Sequence, residues 1–218
     1  MKTLLSGLLK MINNILRIRI PLERIGVLIG TSGKVKTTIE NKYDVNIDVE
    51  GRAGEVSITL NSASSEPVGI FRARDIVQAI GRGFSPERAF KLFNEEATLI
   101  VIDLREIFGK SDSDISRVKG RIIGRNGKAR RLIEELSGAS ICIYGHSVAI
   151  IGDRSQFIVA KEAIERLIRG DQHRSVYDFL QRKRRELKLM EAELWQDSDQ
   201  FSKPQMDDSD SVDTQTQS

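Results

Sequence analysis

A short pattern occurs twice in this chain of 218 residues: Ile29-Gly30-Thr31-Ser32-Gly33-Lys34 and Ile123-Gly124-Arg125-Asn126-Gly127-Lys128. The copies stand 94 positions apart, and residues 26–51 laid over 120–145 agree at nine positions. The shared pairs are Gly26/Gly120, Ile29/Ile123, Gly30/Gly124, Gly33/Gly127, Lys34/Lys128, Ile39/Ile133, Glu40/Glu134, Ile47/Ile141 and Gly51/Gly145. A repeat of this period divides the chain into two small units.

Apolar spacing gives both units one order of elements: strand, helix, helix, strand, strand, helix. In the first, Arg17–Ile20 alternates as a strand and Pro21 opens a helix toward Ile29. A second helix covers 34–42, strands around Val45–Val49 and Val56–Leu60 follow, and a helix over 66–80 closes the unit. Ser85-Pro86 then reads as an N-cap and first helical residue of a short junction helix. The second unit places a strand at Leu99–Asp103, helices at Asp114–Ile123 and Lys128–Leu136, and strands at Ser140–Tyr144 and Val148–Ile151. Asp153–Arg169 is its closing helix, with Gly170 as the stop. The expected divisions are an N-terminal extension (1–15), first unit (16–82), helical junction (83–96), second unit (97–170), basic helix (171–196) and disordered acidic tail (197–218).

Each repeated loop has the chemistry of a phosphate grip. Glycine lets a nucleic-acid backbone come close, and the amides opening the next helix face the phosphates with the positive end of the helix dipole behind them. The second copy is the better equipped: Gly124, Arg125, Asn126, Gly127 and Lys128 form the loop, with Arg130 and Arg131 following. Ile122, Leu132 and Ile141 are candidate apolar walls for the bases, since no aromatic residue clusters near the loop. In the first copy Gly30, Thr31, Ser32, Gly33, Lys34 and Lys36 keep the pivots but place no cation between them. That loop reads as a secondary RNA site or a surface for a protein partner.

Other chemistries fit poorly. A Walker loop needs glycine where Leu28 and Ile122 stand, and Ser or Thr where Val35 and Ala129 stand. Gly81-Arg82-Gly83 follows a helix and lacks the third glycine of a dinucleotide fingerprint. One cysteine, Cys142, and two histidines, His146 and His173, offer neither a disulfide framework nor a zinc site, and point to a reducing, cytoplasmic setting. No cofactor, metal or catalytic constellation is expected, and no apolar run reaches the length of a membrane span. The net charge of +3 hides an asymmetry: residues 197–218 carry −5, leaving +8 on the body, a balance suited to a polyanion.

The Gly-x-x-Gly-Lys loop, between two helices and ahead of a strand pair, resembles the single-strand grip of a KH domain. Longer stretches resemble one family more closely: Ala79-Ile80-Gly81-Arg82-Gly83-Phe84-Ser85-Pro86-Glu87, Lys119-Gly120-Arg121-Ile122-Ile123-Gly124, Ile133–Gly138, Val148–Asp153 and His173–Leu180. Over about residues 17–190 the chain is similar to the two-KH ribosome assembly factor known as the partner of the Nob-one endonuclease, in its compact archaeal form. The resemblance implies an α+β protein of two tandem type I KH domains packed together, with no catalytic role. It implies binding to single-stranded ribosomal RNA near the 3′ end of the small-subunit RNA, in support of its maturation. The implied partners are the small-subunit precursor, the Nob-one-type endonuclease and the alpha subunit of initiation factor two. A general KH RNA-binding protein, or an interaction scaffold whose first domain faces partners, is the alternative.

Overall fold

In the first unit of the computed structural model, which describes residues 15–61 and 67–201 with side chains through residue 189, β1 (Ile15–Arg19) leads into α1 (Leu22–Ile29). A 3-10 turn at Thr31–Gly33 joins α1 to α2 (Lys34–Tyr43). The hairpin β2 (Val45–Glu50) and β3 (Glu55–Leu60) precedes α3 (Pro67–Gly81). All three strands are antiparallel in the order β1-β3-β2, so β3 is central and β2 is an edge. Ile47, Ile58, Val45 and Val56 are buried under the helices with Leu28, Ile39, Ile76 and Ile80. The intervening residues face the other way and are polar (Arg17, Arg19, Asn46, Asp48, Glu50, Ser57, Thr59), as period-two alternation over a half-buried sheet requires.

The junction contains α4 (Pro86–Ala89) and a 3-10 turn at Phe90–Phe93. Ser85 occupies the N-cap position with extended backbone, but its hydroxyl does not cap the helix; its carbonyl accepts the amides of Arg88 and Ala89. Four residues of helix leave few inner amides for a side chain to serve.

The second unit repeats the plan with β4 (Thr98–Asp103), α6 (Asp112–Ile123), a 3-10 turn at Arg125–Gly127, α7 (Lys128–Ser137), β5 (Ser140–Tyr144), β6 (Ser147–Gly152) and α8 (Arg154–Arg169). One extra helical turn, α5 (Leu104–Phe108), sits between β4 and α6, capped by Asp103. Its sheet runs β4-β6-β5, again antiparallel. Here both faces are covered. Val148 and Ile150 join the helices of their own unit, whereas Ala149, Ile151, Leu99, Val101 and Cys142 pack into the first unit's core.

The closing helix α9 (His173–Phe201) lies across α7 and α8, burying Val176, Phe179 and Leu180. It extends past the expected end at 196 because no glycine or proline interrupts the chain before Pro204. The expected disorder from 197 therefore gives way to helix as far as Phe201. The N-terminal extension through residue 14 and the tail beyond 201 lie outside the described residues. Among the described residues no helix is long and apolar enough to cross a membrane.

Candidate nucleic-acid interface

The two loops are built to the same backbone. Gly30 and Gly124 have φ/ψ of 71/179 and 70/174, a region open to glycine and closed to residues with a Cβ. Sterics demand glycine as well: a Cβ on Gly124 would stand 2.6 Å from that of Ala129, and one on Gly30 would collide with Val35. Ser32 and Asn126 both sit at φ 53, ψ 31, and Gly33 and Gly127 follow at φ 79 and 73. Asparagine tolerates the left-handed region better than serine does.

These turns leave α2 and α7 without side-chain caps and without acidic residues in their first turns. By contrast α5, α6 and α8 are capped by Asp103, Ser111 and Asp153. The amides of Lys34 and Lys128, which open these helices, donate to the Thr31 and Arg125 carbonyls of the 3-10 turns, so it is the positive end of each helix dipole, with no side-chain carboxylate or hydroxyl over it, that favours an anion here.

Arg125, Asn126, Lys128 and Arg131 are exposed around the second loop, and Arg131 Nη2 donates to the Asn126 carbonyl at 2.9 Å, bracing the loop from below. Arg125 and Lys128 form no ion pair among the described residues, so their charge is available. The Arg130 Nε is buried 3.8 Å from Glu134 Oε2 and has no hydrogen-bond partner among the described residues. In the first loop Thr31, Ser32 and Lys34 are exposed, while Lys36 pairs with Glu40 at 3.1 Å.

Two of the three expected base walls are not walls. Ile122 and Ile141 are 0% exposed. Ile122 continues the buried stripe Ile115–Val118 of α6, and Ile141 points from β5 into the helical core, so neither presents surface to a ligand. Leu132 is half-buried; near Ile122 on α6, Ile123 is half-buried and Gly120 exposed.

Two features escaped the sequence reading. Glu40 Oε1 accepts the Ile47 amide at 2.8 Å, and Glu134 Oε1 accepts the Ile141 amide at 2.7 Å. Each glutamate thus ties the helix after a loop to the neighbouring edge strand and satisfies an amide that has no strand beside it. The Glu40/Glu134 identity in the repeat was the available signal. The second feature is the contact between units, which brings β5 of one to α1 of the other. The Tyr144 hydroxyl donates to the Glu23 carboxylate, and Arg24 sits 5.8 Å over the Tyr144 ring. Arg24 also donates to the carbonyls of Ile80 and Phe84, at 2.9 and 2.5 Å. Arg88 pairs with Glu134, and Lys91 Nζ donates to Ser140 Oγ at 2.9 Å. Gly83, at φ +97, leaves no room here: a Cβ would lie 2.7 Å from Tyr144 Cβ and 3.0 Å from Cys142 Sγ. Burial in this contact pushes the Cys142 thiol above its ordinary pKa.

Two three-stranded antiparallel sheets with central last strands, each carrying an uncapped helix behind a Gly-x-x-Gly turn, define a tandem type I KH protein. A KH-domain family model matches residues 15–79, and the model for the second Pno1 KH domain, described as a eukaryotic type I KH domain, matches 98–185. The chain is 46% identical to KH domain-containing protein MJ0443 of Methanocaldococcus jannaschii over 82% of this chain and 78% of that one. It is 24% identical to the pre-rRNA-processing protein pno1 of Schizosaccharomyces pombe, covering 74% of this chain and 67% of the relative. A crystal structure of the a/eIF2alpha-aDim2p-rRNA complex from Pyrococcus horikoshii superposes with a TM-score of 0.73 at 48% identity, over 79% of this chain and 94% of the other. The chain belongs to the Pno1/Dim2 family of two-KH, RNA-binding proteins of ribosome biogenesis.

Proposed function

We propose that this chain binds single-stranded RNA near the 3′ end of small-subunit ribosomal RNA, with its second KH loop as the main contact. The observation that carries the reading is the loop at Gly124–Lys128, where Arg125 and Lys128 are exposed and, among the described residues, without an ion pair, beside the start of α7, which has no side-chain cap. Phosphates bound there meet the positive end of a helix dipole and two exposed cations at once. Gly124, Asn126, Gly127 and Arg131 complete that site, with Leu132 beside it.

The first loop is the second RNA site in this reading. Its backbone matches within a few degrees at the central residue, so Gly30, Thr31, Ser32, Gly33 and Lys34 offer the same turn with less charge. Support for the substrate comes from the P. horikoshii relative, named in a complex with ribosomal RNA and the alpha subunit of initiation factor two. That factor, the small-subunit precursor and a Nob-one-type endonuclease are the partners proposed here, in a cytoplasmic setting. The protein acts by binding and not by catalysis.

The double variant Arg125→Asp/Asn126→Asp sets carboxylates against phosphate while leaving both glycine pivots intact. Its affinity for a single-stranded 3′-end oligoribonucleotide, measured at fixed salt, should fall by about a hundredfold, the effect of ~3 kcal/mol of lost charge-assisted bonding. Thr31→Asp/Ser32→Asp should cost markedly less. A folded second-loop variant with unchanged affinity would show that the main contact lies elsewhere.

A further inference from the structure

The run Gly81-Arg82-Gly83-Phe84-Ser85-Pro86 joins the two units, and the fold accounts for every residue in it but one. A Cβ on Gly81 would stand 2.6 Å from Ile20 Cγ2, and Gly83 is pressed against Tyr144. Phe84 is buried in the core that the units share, and Ser85 and Pro86 open α4. Arg82 is the exception. It is half-buried, yet its guanidinium makes no hydrogen bond, ion pair or ring contact among the described residues. A cation at a helix end often serves the last carbonyls. Here Arg24 already holds those of Ile80 and Phe84.

Arg82 opens instead onto a surface cavity of about 630 Å³ between the end of β1 and the last turns of α3. Arg19 and Arg74 line it as well, together with Ile18, Ile20 and Gln78, and no carboxylate or aromatic ring does. Both of these arginines are held from one side. Arg19 Nε donates to the Ala53 carbonyl at 3.1 Å. Arg74 donates to Asp75 through Nε and Nη2, at 2.9 and 2.7 Å, and stacks on Phe71. The Nη groups of Arg19 and Nη1 of Arg74 have no partner among the described residues. Three like charges around one cavity, with Asp75 alone to offset them, repel one another, and an anion set between them removes that cost. The arginine-lined cavity between α8 and α9 is balanced by contrast: Asp178 lines it, Arg166 pairs with Glu162 and Arg182 with Glu186.

We infer that the cavity at Arg19, Arg74 and Arg82 binds the phosphodiester backbone of a base-paired segment of the RNA whose single strand the loop grips. The lining selects backbone: unpaired bases call for stacking rings, whereas a duplex is recognised through phosphates and 2′-hydroxyls, which guanidinium forks bind. Position selects a second segment. Glu40 ties the helix behind the first loop to the β2 edge of the sheet, and the cavity lies at β1, the opposite edge. The inference rests on the RNA reading of the loops and adds a duplex-binding site on the other side of the first unit.

The test uses the full chain carrying Arg19→Glu/Arg82→Glu. Neither side chain fills the core, so the variant should melt within about 2 °C of the parent. Anisotropy titrations compare a single-stranded 3′-end oligoribonucleotide with the same strand carrying a stable RNA hairpin on its 5′ side. The parent should bind the hairpin-bearing RNA about tenfold more tightly than the bare strand. The double variant should lose that gain and keep its affinity for the bare strand, and its salt slope on the hairpin RNA should fall by about 1.8, for two duplex phosphates. Arg82→Gln, which removes one cation without reversing it, should lose part of the gain. Equal affinity of the parent for the two RNAs overturns the inference, and so does a folded double variant that keeps the gain. Inorganic phosphate and an oligoglutamate peptide are titrated in parallel. Binding of either that the double variant loses, with no hairpin gain in the parent, makes the ligand a free anion or an acidic protein segment and overturns the RNA assignment. If Arg125→Asp/Asn126→Asp leaves bare-strand binding unchanged, the reading of the loop fails, while the hairpin comparison in Arg19→Glu/Arg82→Glu still decides the cavity.

Discussion

The two KH units share a plan and differ in what their sheets face. The first unit's sheet turns Arg17, Arg19, Asp48, Glu50 and Ser57 to the outside and keeps only one apolar face. The second unit's sheet is apolar on both sides, because Ala149, Ile151, Leu99 and Val101 are covered by the first unit while Val148 and Ile150 are covered by their own helices. The second unit is therefore a middle layer, held by the first unit on one side and by α9 lying on α7 and α8 on the other. It also has the more highly charged loop. The unit with the more cationic loop is thus the one whose framework is braced from two directions.

Breaking the brace should give the largest effect. Gly83→Ala introduces a methyl 2.7 Å from Tyr144 Cβ at a residue with φ +97. Overpacking and left-handed strain together should cost about 3 kcal/mol in urea-induced unfolding. Cys142 gives an independent readout. Burial raises its thiol pKa, so at a pH near 8 it holds less thiolate than a free cysteine and should alkylate slowly. Loosening the contact in Gly83→Ala lets the pKa fall back, and alkylation should accelerate at the same pH. Equal rates in parent and variant would mean that the two units do not depend on this contact.

A smaller difference should separate the two glutamates. Glu134 serves the Ile141 amide, pairs with Arg88 across the junction and lies beside Arg130. Glu40 serves the Ile47 amide and Lys36. Both side chains are largely buried, so removal strands an amide in each case. Glu134→Ala should cost about 2 kcal/mol and Glu40→Ala about 1, the excess reflecting the additional cation left without its partner. Matching losses would argue that the Arg88 pair contributes nothing to the junction.

Much of this architecture is visible in the chain before any coordinates. The paired Gly-x-x-Gly loops, the element order and the hairpin at Gly145-His146 follow from local spacing, because glycine requirements and two-residue alternation are local properties. The double burial of the second sheet also has a trace in the run Val148-Ala149-Ile150-Ile151, the pattern of a strand covered on both faces. What local spacing misses is set by direction and distance. Ile122 and Ile123 are adjacent and both apolar, and only the helix's inward stripe decides that Ile122 is core and Ile123 half-buried. Helix α5 is too short to show a period. Tyr144 and Glu23 are 121 positions apart in the chain, so nothing in either segment announces the bond between them.

The smallest predicted effect tests the loops themselves. Changing Arg125 to Thr and Asn126 to Ser gives the second loop the first loop's central residues while leaving Gly124, Gly127 and Lys128 in place. Backbone geometry should persist, since Ser32 already holds the φ/ψ of Asn126 in the first copy. If the two loops differ only in charge, the exchange removes one phosphate-neutralising cation. The slope of log affinity against log salt should then fall by ~0.7, the value for one phosphate on a single strand. The reciprocal exchange, Thr31→Arg with Ser32→Asn, should raise the slope by the same amount. A second-loop variant whose affinity falls while its salt slope stays constant would locate the difference between the copies in hydrogen bonding by Asn126, and no longer in the charge of Arg125.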